Sequence, residues 1–125
     1  MRNDRSNAFG AGMDMVDGCL IVPVDGDADP EMLEGLIEAI LANVRKKRPG
    51  SVIINIASIR IMDSYTFLLV KKMAAAITIL GAFPVVVGVQ AGVASSLVDL
   101  DMDFGNILTA VTTEDALEIV RSRSR

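Results

Sequence analysis

The chain has 125 residues, which is the usual size of a single domain with its own hydrophobic core. Hydrophobic residues make up 51% of it and aromatic residues only 4%, so the apolar content is aliphatic and suits a sheet covered by helices. The net charge of −4 argues against a nucleic-acid partner, and the absence of histidine removes the commonest general base and metal ligand.

The N-terminal part of the chain predicts a flexible segment followed by a β-hairpin. Residues 1–12 are polar and contain glycine, so we expect them to be flexible, with a single domain over 13–125. Apolar runs at 13–16 and 19–24 flank an Asp-Gly pair, which is the strongest short-range signal for a hairpin. The lone cysteine, Cys19, permits no disulfide within the chain, and we expect a buried side chain in a reducing, cytoplasmic compartment.

Helices and strands alternate over the rest of the chain. The first helix is capped by Asp29, has proline at its first position, and stops at Pro49. The later elements are predicted, in chain order, as a buried strand over 51–56, a helix from Asp63 to about Leu80, a strand over 83–89, a helix over 91–100, a weaker strand over 106–111 and a helix capped by Thr113. This order predicts an α/β fold: a mixed, mostly parallel sheet with an N-terminal antiparallel hairpin, covered by about four helices.

The second helix has an uneven distribution of apolar residues. On a helical wheel, the side expected to face the sheet contains Tyr65, Leu69, Val70, Met73, Ala76, Ile77 and Leu80. The opposite side contains Ser64, Leu68, Lys71, Lys72, Ala75, Thr78 and Ile79, with Phe67 at its margin. Because aliphatic residues interrupt this polar side, we infer a protein contact there; scattered surface aliphatics are the alternative. The residues predicted to contact the partner are Asp63, Phe67, Leu68, Lys71, Ala75 and Ile79.

An Asp-Ser pair at 63–64 opens this helix. The free backbone N–H groups and the positive end of the dipole favour an anion at such a position. Asp63 is the expected N-cap, whereas Ser64 is either an ordinary residue of the first turn or a site for a phosphate. A phosphate on Ser64 would add about −1.5 to −2 charges beside the apolar residues, which would weaken the binding of a partner.

Other chemistries fit the sequence less well. Asp25, Asp27 and Asp29 could suggest a cation site, but their spacing lacks the glycine and the distal glutamate of a calcium loop. A solvated loop with one helix cap is the better interpretation. A receiver domain would need an acid where Asn55 stands. No glycine-rich phosphate loop and no acid–base pair are visible in the sequence, so we predict no catalytic residue, metal or cofactor.

Three segments resemble the STAS domain of the anti-sigma factor antagonists. They are the strand at 52–56, the junction Met62-Asp63-Ser64 and the run at 80–89. The resemblance extends from the first hairpin to the final helix, which is nearly the whole chain, and it implies the STAS fold. The Asp-Ser pair stands at the phosphoacceptor position of the family, which maps onto Ser64.

A narrower resemblance concerns the segment 88–100, which is similar to the corresponding segment of stressosome STAS proteins. The chain length matches the small single-domain scaffold subunit of those assemblies. The second phosphoacceptor hydroxyl of this group maps onto Ser96, with Ser95 beside it. A proline commonly follows the glutamine in this group, and Ala91 replaces it here.

The resemblance implies a non-enzymatic role in stress signalling. The unphosphorylated chain would sequester a serine/threonine switch kinase, phosphorylation of Ser64 would release that kinase, and a phosphatase would reset the switch. Related STAS sensor subunits would be further partners in homo- and hetero-oligomers, and neither a membrane nor a nucleic acid would be involved. Two alternatives stay open: a STAS module that binds a small ligand or nucleotide, and a dimeric anti-anti-sigma factor that acts directly on an anti-sigma kinase.

Overall fold

The chain forms an antiparallel hairpin at the Asp-Gly pair, as predicted. Strand β1 (Asp14–Val16) pairs with β2 (Cys19–Pro23), and Val16 lies opposite Cys19. The two turn residues, Asp17 and Gly18, have φ angles of 52° and 79°, and a two-residue type I′ turn requires positive φ at both. The computed structural model describes residues 12–123. The predicted flexible segment 1–12 therefore lies, except for Gly12, outside the described residues.

The hairpin continues into a five-stranded sheet in which strands and helices alternate. The remaining elements are α1 (Pro30–Lys47), β3 (Ser51–Asn55), α2 (Ser64–Ile79), β4 (Phe83–Val87), α3 (Ala91–Asp99), β5 (Leu108–Ala110) and α4 (Thr113–Arg123). The strands lie in the order β1-β2-β3-β4-β5, and every pair after the first is parallel. The predicted α/β class and mixed sheet are confirmed.

The two faces of the sheet are covered unequally. Helices α1, α2 and α3 pack on one face, where the strands contribute Leu20, Val22, Val52, Ile54 and Val86. Helix α4 packs on the other face through Ala116, against Cys19, Ile53, Val85 and Val87. Because both faces of β3 are covered, its first four residues are buried, and the apolar run at 52–54 is typical of such a strand.

Some element ends differ from the prediction. The last helix is capped by Thr112, not Thr113, because the Thr112 hydroxyl accepts a hydrogen bond of 3.1 Å from the N–H of Asp115, which leaves Thr113 as the first helical residue. Strand β4 ends at Val87 instead of residue 89, since Gly88 has a φ of 83° and turns the chain out of the sheet. None of the helices between residues 12 and 123 is both long and apolar enough to cross a bilayer.

Candidate functional site

The carboxyl edge of the parallel strands carries the residues of interest. Strands β2, β3, β4 and β5 all end there, and each is followed by a loop that leads into a helix. Ligands of open α/β sheets bind at this edge, because the loops and the helix N-termini meet there. The loop between β3 and α2, residues 56–63, leads directly to Ser64 and is called the α2 loop below.

Asp63 is the N-cap of α2, as predicted. Its backbone is extended, and its side chain accepts a hydrogen bond of 2.7 Å from the N–H of Thr66, while its carbonyl oxygen accepts one of 3.1 Å from the N–H of Phe67. Hydrogen bonds from the backbone N–H and the side-chain hydroxyl of Thr66 hold the pKa of the Asp63 carboxyl below its usual range. The carboxylate is therefore ionised and engaged with its own helix at neutral pH.

Ser64 is the first residue of α2 and is exposed to solvent. Within residues 12–123 its hydroxyl makes no hydrogen bond to another residue. The N–H groups of Ser64 and Tyr65 belong to the first turn and have no carbonyl partner inside the helix, because the cap side chain takes only the N–H of Thr66. An accessible hydroxyl thus stands beside free donors and the positive end of the helix dipole.

The α2 loop is held from within by its own residues. Ile59 and Met62 are almost fully buried and fix the loop to the core below it. The side chain of Asn55 accepts a hydrogen bond of 2.9 Å from the N–H of Ala57, and the N–H of Ile59 donates one of 3.0 Å to the carbonyl oxygen of Ile56. The loop therefore leads into Ser64 along a defined path.

Neighbouring loops also approach the α2 loop very closely. A β-carbon added to Gly26 would lie 2.0 Å from the carbonyl oxygen of Ser58, and one added to Gly88 would lie 2.8 Å from the β-carbon of Ala57. The side-chain amide of Gln90 donates a hydrogen bond to the carbonyl oxygen of Ala57. The sequence analysis missed these contacts. Their only local signals are two glycines and a glutamine at the ends of elements, because their partners lie far away in sequence.

The exposed side of α2 carries a strip of small and aliphatic residues. Ser64 begins this strip, and Leu68, Ala75 and Ile79 continue it along the helix; Leu68 is 54% exposed and Ile79 is 83% exposed. These four residues are called the outer strip. Its aliphatic members are all exposed in the described chain, which is the arrangement expected of a protein-contact surface.

Two lysines border the outer strip. Lys71 is half-buried, and its ammonium group lies 5.6 Å from the centre of the Phe67 ring. Lys72 is exposed and lies 3.4 Å from a carboxylate oxygen of Glu34 on α1. The predicted exposure of Leu68, Ala75 and Ile79 is confirmed, while their role in partner binding stays a prediction.

The prediction for Phe67 is wrong in its placement. Its side chain is fully buried, and its ring meets that of Phe104 edge to face with centroids 5.1 Å apart. Tyr65, expected to face the sheet, is 51% exposed. The buried side of α2 is thus rotated by about 60° from the predicted one. The segment after α3, including Phe104, covers this side of the helix, and a helical wheel contains no information about such a remote segment.

The second predicted phosphoacceptor has different surroundings. Ser96 lies in the middle of α3 and is half-buried, and its hydroxyl donates a hydrogen bond of 2.9 Å to the carbonyl oxygen of Gly92. Ser95 beside it is exposed. The role of either serine as a phosphoacceptor stays a prediction.

The carboxylates of the loop before α1 accept hydrogen bonds from nearby backbone N–H groups. The side chain of Asp25 accepts a hydrogen bond of 2.9 Å from the N–H of Asp27, and that of Asp29 caps α1 by accepting one of 2.8 Å from the N–H of Met32. This loop and the α2 loop border an open cavity of about 580 Å³, lined by Asp25, Gly26, Asp27, Ser58, Arg60 and Ile61. In the described part of the chain, no three acidic or cysteine side chains converge closely enough to hold a metal ion.

Cys19 lies in β2 and is buried, as predicted. Burial raises the pKa of its thiol, the charge of Asp17 raises it further, and Arg121 acts in the opposite direction. The thiol therefore stays protonated at neutral pH and is a poor nucleophile.

Comparisons of the sequence with known proteins give distant relatives. No family model matches it. The chain is 24% identical over 105 residues to the RsbT co-antagonist protein RsbRD of Bacillus subtilis, covering 84% of this chain and 38% of that protein. It is 24% identical over 98 residues to the RsbT co-antagonist protein RsbRA of the same organism, covering 78% and 36%. The chain thus spans little more than a third of the length of these curated relatives.

Solved structures resemble the chain over nearly its full length. RsbS of Moorella thermoacetica, solved as a serine-to-glutamate variant, has a TM-score of 0.80 at 18% identity, covering 90% of this chain and 98% of that one. A chain of the stressosome, described as a signal integration and transduction hub, has a TM-score of 0.79 at 19% identity, with coverages of 90% and 98%. The anti-sigma factor antagonist SpoIIAA in its unphosphorylated form has a TM-score of 0.63 at 19% identity, with coverages of 87% and 96%.

These superpositions agree with the architecture described above. The five-stranded mixed sheet with its opening hairpin and the four helices of residues 12–123 are common to the anti-sigma factor antagonists and the stressosome subunit. The chain therefore has the STAS fold.

Proposed function

We propose that this protein is a non-enzymatic antagonist and scaffold that binds a serine/threonine switch kinase and is controlled by phosphorylation of Ser64. The observation that carries the proposal is the exposed hydroxyl of Ser64 at the first position of α2, which makes no hydrogen bond to another residue of 12–123. It stands at one end of the outer strip, one turn from Leu68. A modification of this hydroxyl therefore changes the charge at the border of an apolar surface.

The physical basis of the switch is the cost of burying charge. A phosphate on Ser64 adds about −1.5 to −2 charges, and the free N–H groups of the first turn stabilise it where it is. A partner that packs on Leu68 would then have to remove water from this phosphate and from the neighbouring carboxylate of Asp63. The partner is released without a rearrangement of the fold.

The names of the relatives support the choice of partners. The curated relatives are RsbT co-antagonists, which supports a role as an antagonist of a partner protein, and we propose a switch kinase as that partner. The likeness to the stressosome chain supports assembly with further STAS subunits, both copies of this chain and related sensor proteins. A phosphatase that resets Ser64 and a cytoplasmic location complete the proposal.

The experiment combines phosphate mapping with binding. The protein is incubated with its cognate switch kinase and ATP, and the phosphate is located by mass spectrometry. We expect it on Ser64, with no phosphate at position 64 in the Ser64→Ala variant. The Ser64→Asp variant should bind the kinase at least about tenfold more weakly than the unmodified protein, because a charge now borders the contact.

Ser122→Asp is the matched control. Ser122 is also exposed, but it lies on α4, on the opposite face of the sheet from α2. This variant introduces the same charge and should bind the kinase as the unmodified protein does. If Ser64 stays unmodified while Ser64→Asp binds the kinase with undiminished affinity, the proposed switch is wrong.

A ligand-binding STAS module is the second candidate function. The open cavity of about 580 Å³ beside the α2 loop favours it, because this cavity lies at the edge of the sheet where α/β proteins bind ligands. Native mass spectrometry of the purified protein tests it. A retained small molecule that is lost in an Arg60→Ala variant would support this function, whereas a mass equal to that of the bare chain would count against it.

A further inference from the structure

Gln90 occupies the N-cap position of α3 without capping it. Its backbone is extended, with φ −78° and ψ 157°, as an N-cap should be, but its side chain makes no hydrogen bond to the first turn of its own helix. The residues that cap well are Ser, Thr, Asp and Asn, whose short side chains reach back to the N–H groups. The amide of Gln90 instead donates a hydrogen bond to the carbonyl oxygen of Ala57 in the α2 loop.

The chain around Gln90 contacts the α2 loop at two further points. On one side, Gly88 approaches Ala57 so closely that an added β-carbon would lie within 2.9 Å of the Ala57 backbone. On the other side, a β-carbon added to Gly92 would lie 3.3 Å from the carbonyl oxygen of Arg60. Gln90 thus lies at the centre of a seam between the start of α3 and the loop that leads to Ser64.

We propose that Gln90 is a positioning residue for Ser64: it holds the α2 loop in the conformation in which a partner kinase recognises and phosphorylates the serine. The proposal rests on the proposed function, because it assigns a part of the same site. The bond matters because four loop residues, Ala57, Ser58, Arg60 and Ile61, are exposed and do not anchor the loop to the core. The side-chain hydrogen bond of Gln90 goes to Ala57, so we assign its effect on Ser64 to the loop.

The geometry predicts opposite effects of one substitution on two properties. In Gln90→Ser the new side chain is too short to reach Ala57, but serine is a strong N-cap for α3. The melting temperature should therefore stay unchanged or rise. Hydrogen exchange at the amides of Ala57 and Ile59, both hydrogen-bonded within the loop, should become about threefold to tenfold faster. The rate of phosphorylation of Ser64 should fall by a similar factor.

Asn43→Ala is the matched control. The side-chain amide of Asn43 also donates to a backbone carbonyl, that of Ala39, at 2.9 Å, but it lies on α1 and its other hydrogen bond goes to the sulfur of Met13. Its removal should leave loop exchange and Ser64 phosphorylation as they are in the unmodified protein. The control thus separates the loss of any amide hydrogen bond from the loss of this one.

Two results would overturn the proposal. The first is a Gln90→Ser variant with unchanged exchange at Ala57 and Ile59 and an unchanged rate of phosphorylation. The second is a variant whose melting temperature falls together with the rate, because that result assigns Gln90 to general stability. If the unmodified protein takes no phosphate on Ser64, the proposed function fails. Unchanged hydrogen exchange in Gln90→Ser would then reject the positioning role as well. Faster exchange would show that Gln90 does hold the α2 loop, so that only the proposed function would be rejected.

Discussion

Ser64 and Ser96 lie on neighbouring helices but have different surroundings. Ser64 is the first residue of α2, exposed, with a hydroxyl that makes no hydrogen bond within the described residues. Ser96 lies inside α3, half-buried, with its hydroxyl bonded to Gly92. The hydroxyl of Ser64 is accessible to a kinase, whereas that of Ser96 would first have to break its hydrogen bond to Gly92. The contrast favours Ser64 over Ser96 as the serine of the proposed switch.

The two helices also begin differently. Asp63 uses its side chain to cap α2, so that the start of that helix is self-contained. Gln90 leaves the start of α3 without a side-chain cap and bonds the α2 loop instead. The two N-cap residues thus differ in what they stabilise. Asp63 stabilises its own helix, and Gln90 stabilises the neighbouring α2 loop.

The largest expected effect concerns the surface beside each serine. Leu68→Arg places a charge in the outer strip, and we expect the affinity for the switch kinase to fall at least about tenfold. Val98→Arg makes the same kind of change on the exposed side of α3, near Ser96, and should alter the affinity less than about twofold. Isothermal titration calorimetry measures both. Equal losses would show that the two surfaces contribute alike and would remove the distinction between them.

The next largest effect is expected on the free energy of unfolding when the two N-cap residues are replaced. Asp63→Ala should lower the free energy of unfolding by about 1 kcal/mol, because the N–H of Thr66 loses its acceptor. Gln90→Ala should cost α3 far less, since its side chain does not cap that helix. Chemical denaturation of the two variants checks this difference. A loss in Gln90→Ala as large as that in Asp63→Ala would contradict it.

The pH dependence of stability should differ between the same two positions. The pKa of Asp63 is lower in the folded state than in the unfolded chain, so its contribution is present above about pH 4 and is lost as the pH falls through the folded pKa. Asp63→Asn retains a capping side chain but does not titrate. Its stability should therefore fall less steeply below pH 4, whereas Gln90→Ala adds and removes no titrating group and should leave the loss of stability at acid pH as it is in the unmodified protein. Denaturation curves between pH 2 and about 7 measure the slopes.

Ser96→Ala should have the smallest effect. The variant loses the hydrogen bond to Gly92, but alanine is a better helix former than serine, so stability should change by less than about 0.5 kcal/mol. Phosphorylation of Ser64 should continue at its usual rate. A large drop in that rate, measured by quantitative mass spectrometry, would show that Ser96 controls Ser64 and would reverse the ranking of the two serines.

The sequence predicts the parts of this molecule that depend on neighbours along the chain. The hairpin at Asp17 and Gly18, the caps Asp29 and Asp63 and the exposed aliphatics of α2 all follow from residues close together in sequence. Their signals are turn chemistry, capping geometry and helical periodicity, which act over a few residues.

The parts that depend on remote contacts were not predictable in this way. Phe67 is buried because Phe104 packs on it, and the α2 loop is fixed because Gly26, Gly88 and Gln90 approach it from two other loops. A helical wheel places Phe67 by angle alone and cannot include a ring from a later segment. A glutamine at a helix start has no preference that would reveal its partner Ala57.

The most direct test of the central claim compares the affinity of the switch kinase for two forms of the full chain. One form carries no phosphate, and the other carries one phosphate on Ser64, verified by mass spectrometry. The account predicts that the phosphorylated form binds at least about tenfold more weakly, because a charge then lies at the border of the outer strip. Equal dissociation constants for the two forms would contradict it.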